Sequence, residues 1–253
     1  MKHLAHVISV EAASEVLKAW QLPSFVLPTL LFPTGFYVLF GLMVPAPGDR
    51  GSTAALTLAN YGVFAAMGPS LFGFGVGVAS ERTQGELELK RVSPVPVWVF
   101  LAGKLYMALT ATLVVLILLY GLAASGGGVA LSRLCWLRLA GVHLMTVPPM
   151  ALLGLTLGLV FRPQAAAGLA NVLLLSMAAL GGLFLPVSLL PSVVGQLSQT
   201  LPTYHLSQLA LSSMGAKEPS LWTTHIVAWT GHTTLLGLVA VWAWRRFAGD
   251  ARR

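Results

Sequence analysis

Of 253 residues only 9% are charged, against roughly 25% in an ordinary soluble domain, while 56% are hydrophobic and the mean hydropathy is +0.80. So little charge cannot cover the surface of a soluble protein, and the length is better divided into membrane spans of about 20 residues each. The single cysteine, Cys135, excludes an internal disulfide or a cysteine metal cluster, and the net charge of +7 is scattered singly at the ends of apolar runs, with no basic stripe for nucleic acid.

A leader comes first, residues 1–21. Val7, Val10, Ala13, Leu17 and Trp20 recur at three- and four-residue steps opposite Glu11, Glu15 and Lys18. That pattern predicts a helix lying in the membrane interface, with Trp20 at headgroup depth; a frayed tail is the alternative reading. Apolar runs near 22–43, 56–80, 97–122, 136–161, 167–186 and 225–244 are each long enough to cross about 30 Å of hydrocarbon. The predicted fold class is therefore an all-α membrane protein with six transmembrane helices. The first run precedes Val44-Pro-Ala-Pro-Gly48, but it is longer than a signal-peptide core of about 7–15 residues and follows a charged leader, so it is kept as a span. Six spans place both termini on one side. With that side in the cytoplasm, Lys2, Lys18, Arg82, Lys90, Arg91, Lys104, Arg162 and the basic tail 245–253 lie inside, and only Arg50, Arg133, Arg138 and Lys217 lie outside, which is the bias of the positive-inside rule.

Between the second and third runs stands Glu81-Arg82-Thr83-Gln84-Gly85-Glu86-Leu87-Glu88-Leu89-Lys90-Arg91-Val92-Ser93-Pro94, whose charges cannot sit in hydrocarbon. Thr83-x-x-Glu86 has the spacing of a capping box, Glu86 and Glu88 early and Lys90 and Arg91 late suit the helix dipole, and Ser93-Pro94 ends the run. A short helix is predicted over 83–92, with a solvated loop as the alternative; Leu87 and Leu89 would give it an apolar anchor for a partner. Lys104, just inside the third span, is expected to snorkel to the interface, with substrate binding as the second reading. Gly73-x-x-x-Gly77 and Gly154-x-x-x-Gly158 permit close helix approach, within one subunit or at a homodimer seam. Residues 163–216 contain no Asp, Glu, Lys or Arg, yet beyond the fifth run Pro186, Pro191 and Pro202 interrupt a stretch holding Gln196, Gln199, Thr203, His205 and Gln208. A re-entrant pair of short helices over 187–216, shielded by protein, satisfies both its polarity and the parity of the spans, with Pro191 and Pro202 opening helices at their first turns.

Glu81-Arg82-x-x-Gly85-x-Leu87-Glu88, followed by Arg91-Val92-Ser93-Pro94 and Gly103-Lys104-Leu105, resembles the signature of ABC-2 type transporter permeases, the membrane subunits of ABC exporters. The resemblance covers nearly the whole chain: amphipathic leader, six spans, and Phe184-Leu-Pro186, Leu190-Pro191 and Leu201-Pro202-Thr203-Tyr204-His205 where that family has extracellular re-entrant helices. Glu86 departs from it, since threonine usually follows the glycine. The resemblance implies that 83–92 is a coupling helix docking in a cleft of a cytoplasmic ATPase through Glu81, Arg82, Gly85, Glu86, Leu87, Glu88 and Leu89, with Pro94 and Lys104 setting the exit into span three. It implies a gate or re-entrant role for Pro186, Pro191, Pro202, Tyr204 and His205. It also implies two ATPase copies and a second permease subunit, a homodimer or related heterodimer, in a bacterial inner membrane.

No Gly-x-x-x-x-Gly-Lys-Ser/Thr occurs, so no cofactor is expected on this chain; ATP and magnesium would belong to the partner. No Gly-x-Ser-x-Gly occurs either, and no catalytic or metal residue is expected: His143, His205, His225 and His232 lack neighbouring carboxylates and read better as interfacial or hydrogen-bonded side chains. The expected function is that of an exporter permease for a lipophilic or amphipathic cargo such as a drug, lipid or lipid-linked glycan. An intramembrane hydrolase and a non-transporting scaffold or sensor are the alternatives.

Overall fold

The computed structural model describes residues 2–44, 50–216 and 221–250, which form helices and connections with no β-strand among them. Pro45 to Gly48, Lys217, Arg252 and Arg253 lie outside the described residues. A leader helix α1 (Lys2–Trp20) precedes span one, α2 (Pro23–Tyr37) continued by a π-helical segment Val38–Met43. Span two is α3 (Arg50–Thr83), followed by the short helix α4 (Glu86–Val92) and span three, α5 (Val97–Ser125). Span four is broken into α6 (Arg133–Met145) and α7 (Val147–Val160), and span five is α8 (Pro163–Leu180). Two shorter helices, α9 (Ser192–Ser198) and α10 (Pro202–Ser213), lead to span six, α11 (Trp222–Asp250). Six helices are long and apolar enough to cross a membrane, and this is a multi-pass membrane protein.

Span two is the axis of the bundle. Its most apolar window is 78% buried, whereas little of those of spans one, five and six is buried, so these three lie at the periphery of the bundle. The crossing of spans two and four is set by small residues. A Cβ on Gly154 would lie 2.6 Å from the Leu71 carbonyl, and one on Gly158 would lie 2.7 Å from that of Gly75. The Gly154-x-x-x-Gly158 motif therefore packs inside the subunit. Span two answers with Gly75, while Gly73 and Gly77 face span three, against the Met107 side chain and Lys104 Nζ.

The break in span four has a covalent cause. Pro149 has no N–H to give the Met145 carbonyl, and the indole Nε1 of Trp229 on α11 donates to that oxygen instead, at 2.9 Å. Nearby, His143 is fully buried. Its Nε2 faces the Ala59 carbonyl at 3.0 Å, which requires a proton on Nε2, so Nδ1 accepts from Tyr120 Oη at 2.9 Å. This candidate histidine is a neutral core member with both ring nitrogens satisfied.

The ends of the bundle differ. At one, α1, α4 and the last turn of α11 meet, through Lys90–Glu11 and a hydrogen bond from Arg91 to the Ala248 carbonyl. At the other, α10 inserts among the spans: the Thr203 hydroxyl donates to the Met177 carbonyl of span five and the Ser207 hydroxyl to Asn60 Oδ1 of span two. Almost every residue of α10 is buried, so its polar side chains are met by protein. Pro202 occupies the first turn of α10, whereas Pro191 stands one residue before α9 as its cap. Pro186 and Pro191 are exposed, Tyr204 is half-buried, and Pro202 and His205 are buried.

Candidate functional site: the charged end

The turn from span two into α4 is built on Gly85, whose φ of +77° is a left-handed conformation that side-chain-bearing residues avoid. The capping box expected from Thr83 and Glu86 does not form. Thr83 is still helical, and its hydroxyl donates back to the Ala79 and Ser80 carbonyls, at 2.9 Å each, because the chain reverses only after it, at Gly85. The short helix accordingly starts at Glu86, not at residue 83. Glu86 and Glu88 occupy its first turn and Lys90 and Arg91 its last, the arrangement its dipole favours.

The structure separates the two expected anchors. Leu87 is fully buried, in a cluster with Phe74, Val78, Phe100 and Val147, and holds α4 against its own subunit. Leu89 is 69% exposed and Val92 82%, with Gln84, Ser93 and Pro94 exposed beside them. Arg82 turns sideways: its guanidinium donates to the Phe161 carbonyl at 2.8 Å, capping the end of α7, where a cation also suits the dipole.

Lys104 does not snorkel. It is 3% exposed, and its Nζ donates to Glu15 Oε2 at 2.7 Å and to Glu81 Oε1 at 3.1 Å. The leader covers the way out to water, since a Cβ on Gly103 would lie 3.0 Å from the Glu11 side chain and 3.4 Å from its backbone. Glu81, expected among the outward charges, likewise turns in toward Lys104. Lys90 bonds Glu11 at 2.7 Å and lies 3.8 Å from Glu15 and 3.8 Å above the Phe100 ring. Lys18 lies 3.3 Å from Glu15 and 3.9 Å from both Glu81 and Glu86. Burial pushes the Glu15 carboxyl up; the attraction and hydrogen bond of Lys104, with the charges of Lys18 and Lys90, outweigh it and hold the group below its ordinary value.

Sequence reasoning named Glu81 and Lys104 separately and placed Glu11, Glu15 and Lys90 outside the site; their opposite charges offered a signal, but nothing local tied positions this far apart. Three buried polar atoms at this end have no hydrogen-bond partner among the described residues: Glu81 Oε2, Arg82 Nε and Glu88 Oε2. Beside α1, an open groove of about 880 Å³ lined by Ala5, Ile8, Ala12, Val16, Trp20 and Tyr106 faces outward.

The other end carries a second grouping that sequence reasoning did not assemble. His205 and His225 approach through their Nδ1 atoms at 2.9 Å, the His205 and His232 rings lie 5.6 Å apart, and the Gln199 and Thr200 carbonyls bond His205 and His232. No group among the described residues has the arrangement to hold a metal ion.

The sequence pattern of the ABC-2 family transporter protein matches residues 37–244, a stretch that includes spans two to five, α4 and most of span six. The chain belongs to the ABC-2 transporter family. It is also similar to YvfS of Bacillus subtilis (strain 168), described as a putative transport permease, with 26% identity over 216 residues, covering 85% of this chain and 88% of that protein. No solved structure matches the chain. The family is one of transport permeases, and membership implies an ATPase partner in a membrane setting.

Proposed function

We propose that this permease is the membrane subunit of an ATP-driven exporter, and that α4 is the coupling helix on which a separately encoded cytoplasmic ATPase docks. The observation that carries the reading is the division of α4 into a buried inner side at Leu87 and an exposed outer side at Leu89 and Val92, set beside polar atoms of Glu81, Arg82 and Glu88 that meet no partner among the described residues. Apolar side chains ringed by charge are a common composition for a docking patch. In this reading the charged end is cytoplasmic and carries both termini, α1 lies in the interface, and α9 and α10 form the re-entrant element of the outer side. Pro186, Pro191, Pro202, Tyr204 and His205 then belong to the gate. ATP and magnesium are bound by the partner, in two copies, and two permease subunits enclose the pathway. The uncharged stretch 163–216 suits a lipophilic or amphipathic cargo.

The test is co-purification of the permease with its ATPase. Leu89→Asp combined with Val92→Asp places two carboxylates on the exposed side without touching Leu87, and is expected to abolish capture of the ATPase while membrane insertion continues. Full capture by the double variant refutes the docking surface.

A further inference from the structure

We propose that His205, His225 and His232 form a latch that ties the α9–α10 connection to span six, and that acid opens it at one end. Where the latch lies relative to the membrane rests on the reading of α9 and α10 as the re-entrant element of the outer side; its chemistry does not. Span six is the least buried of the six spans, with 11% of its apolar window covered, so the polar ties that it makes to the bundle count for more. His225 and His232 stand seven positions apart, which puts them on one face of α11, two turns from each other. Both reach the same short stretch. His225 meets His205 on α10, itself bonded to the Gln199 carbonyl, and His232 meets the Thr200 carbonyl. The Tyr204 ring stands edge-on to His205 and His225, and both of these histidines are buried.

The protons in this group are set by the atoms they face. A carbonyl only accepts, so the Gln199 oxygen at 2.9 Å requires a hydrogen on His205 Nε2. Neutral His205 then has a bare Nδ1, and the 2.9 Å approach of the two Nδ1 atoms requires the hydrogen of His225. One added proton leaves this bond intact whichever ring carries the charge, because one Nδ1 is still bare. A second puts a hydrogen on both Nδ1 atoms, and the tie between α10 and span six is replaced by repulsion. His232 behaves in the opposite way. Its Nδ1 lies 2.7 Å from the Ala228 carbonyl and its Nε2 2.9 Å from that of Thr200; the neutral ring can donate to one of them, the imidazolium to both. Acid thus breaks the His205–His225 tie and spares His232–Thr200. Trp229, between the two, still holds the Met145 carbonyl, and Thr203 and Ser207 hold α10 through hydroxyls that do not titrate. What is released is the start of span six, ahead of Trp229. In the exporter reading the gate meets span six there, so acid outside the cell loosens the gate.

The elements packed on α10 and span six bring no carboxylate to this group among the described residues. Helices α7, α8 and α9 contain no charged residue. Helix α6 carries Arg133 and Arg138, both exposed, and His143, which is committed to Tyr120 and the Ala59 carbonyl. Helix α3 has Arg50 at its start and Tyr61, with Glu81 and Arg82 at its far end, and the charges of α11 begin at Arg245, also at its far end. Lys217 and Glu218, which precede span six, lie outside the described residues.

The test uses the purified permease alone in lipid nanodiscs, so it does not depend on the ATPase docking. In a Cys135→Ser background, spin labels on cysteines at Gln196 on α9 and Thr224 on span six, both exposed, report the distance across the latch. It is measured at about pH 7.5 and about pH 4.5, on either side of the ordinary imidazole value of about 6.5. The distance is expected to lengthen in acid by more than the width of its distribution at neutral pH, and to recover on return; an unchanged distance overturns the proposal. Two substitutions of His225 separate the latch from general loosening by acid. The amide of asparagine sits as many bonds from the backbone as Nδ1, its nitrogen donating to a bare His205 Nδ1 and its oxygen accepting from a protonated one. His225→Asn should therefore stay short at both pH values, and His225→Leu should be long at both. Acid opening in His225→Asn, or a short distance in His225→Leu at neutral pH, also overturns it. Labelling of the Gln196 cysteine by an impermeant thiol reagent from the cytoplasmic side only would defeat the outer placement of the element and leave the latch standing.

Discussion

Gly158 is a position where one added methyl group should cost stability by forcing two helices apart. A Cβ there would lie 2.7 Å from the Gly75 carbonyl, 2.8 Å from Val78 Cβ and 2.9 Å from the Phe74 carbonyl, where ordinary contact begins near 3.4 Å. Two of these three atoms are backbone of span two, the most buried helix, so neither a rotamer change nor a local shift makes room; the two helices must separate along the crossing. Overpacking of this kind costs about 1–3 kcal/mol. For a chain of this length each kcal/mol lowers the unfolding temperature by about 2–4 °C. Gly158→Ala should therefore unfold several degrees below the wild type when the detergent-purified permease is heated and its loss of monodisperse protein followed by size exclusion. Gly121→Ala is the control: nothing lies within 4 Å of a Cβ at that position in span three, and alanine there should be neutral or gain about 0.5–1 kcal/mol from its better helix propensity. If the two variants unfold at the same temperature, the close crossing of spans two and four is refuted.

Trp229→Phe keeps an aromatic side chain but removes the indole donor to the part-buried Met145 carbonyl at the break in span four; losing that hydrogen bond costs about 0.5–1.5 kcal/mol, and an unfolding temperature equal to wild type would show that the carbonyl is satisfied otherwise. Glu15 predicts a pH dependence with a definite sign. Because its folded pKa lies below the unfolded value, its contribution to stability is complete above the ordinary carboxylate range and is lost as pH falls through the lower folded value, in the window below about pH 4. Thermal unfolding of wild type and Glu15→Gln should thus converge in acid and diverge above it; parallel curves would contradict the pairing with Lys104.

How much of this was readable beforehand depends on whether the cause is local. The six spans follow from length and apolarity, which are properties of contiguous residues, whereas the chain reversal at Gly85 departs from the expected helix over 83–92, which runs through that glycine. The start of α4 was misread because Thr83 and Glu86 have capping spacing, and spacing does not reveal that the preceding helix continues through Thr83. The rotation of a helix is no more visible: Gly73-x-x-x-Gly77 satisfies the small-residue pattern, yet Gly75, outside it, meets span four. Lys104 was given an escape route because a long side chain near a helix end normally has one. Its partner Glu15 lies 89 positions away, on a helix whose charged side was expected to face water, and only the docking of that helix turns the expected surface inward.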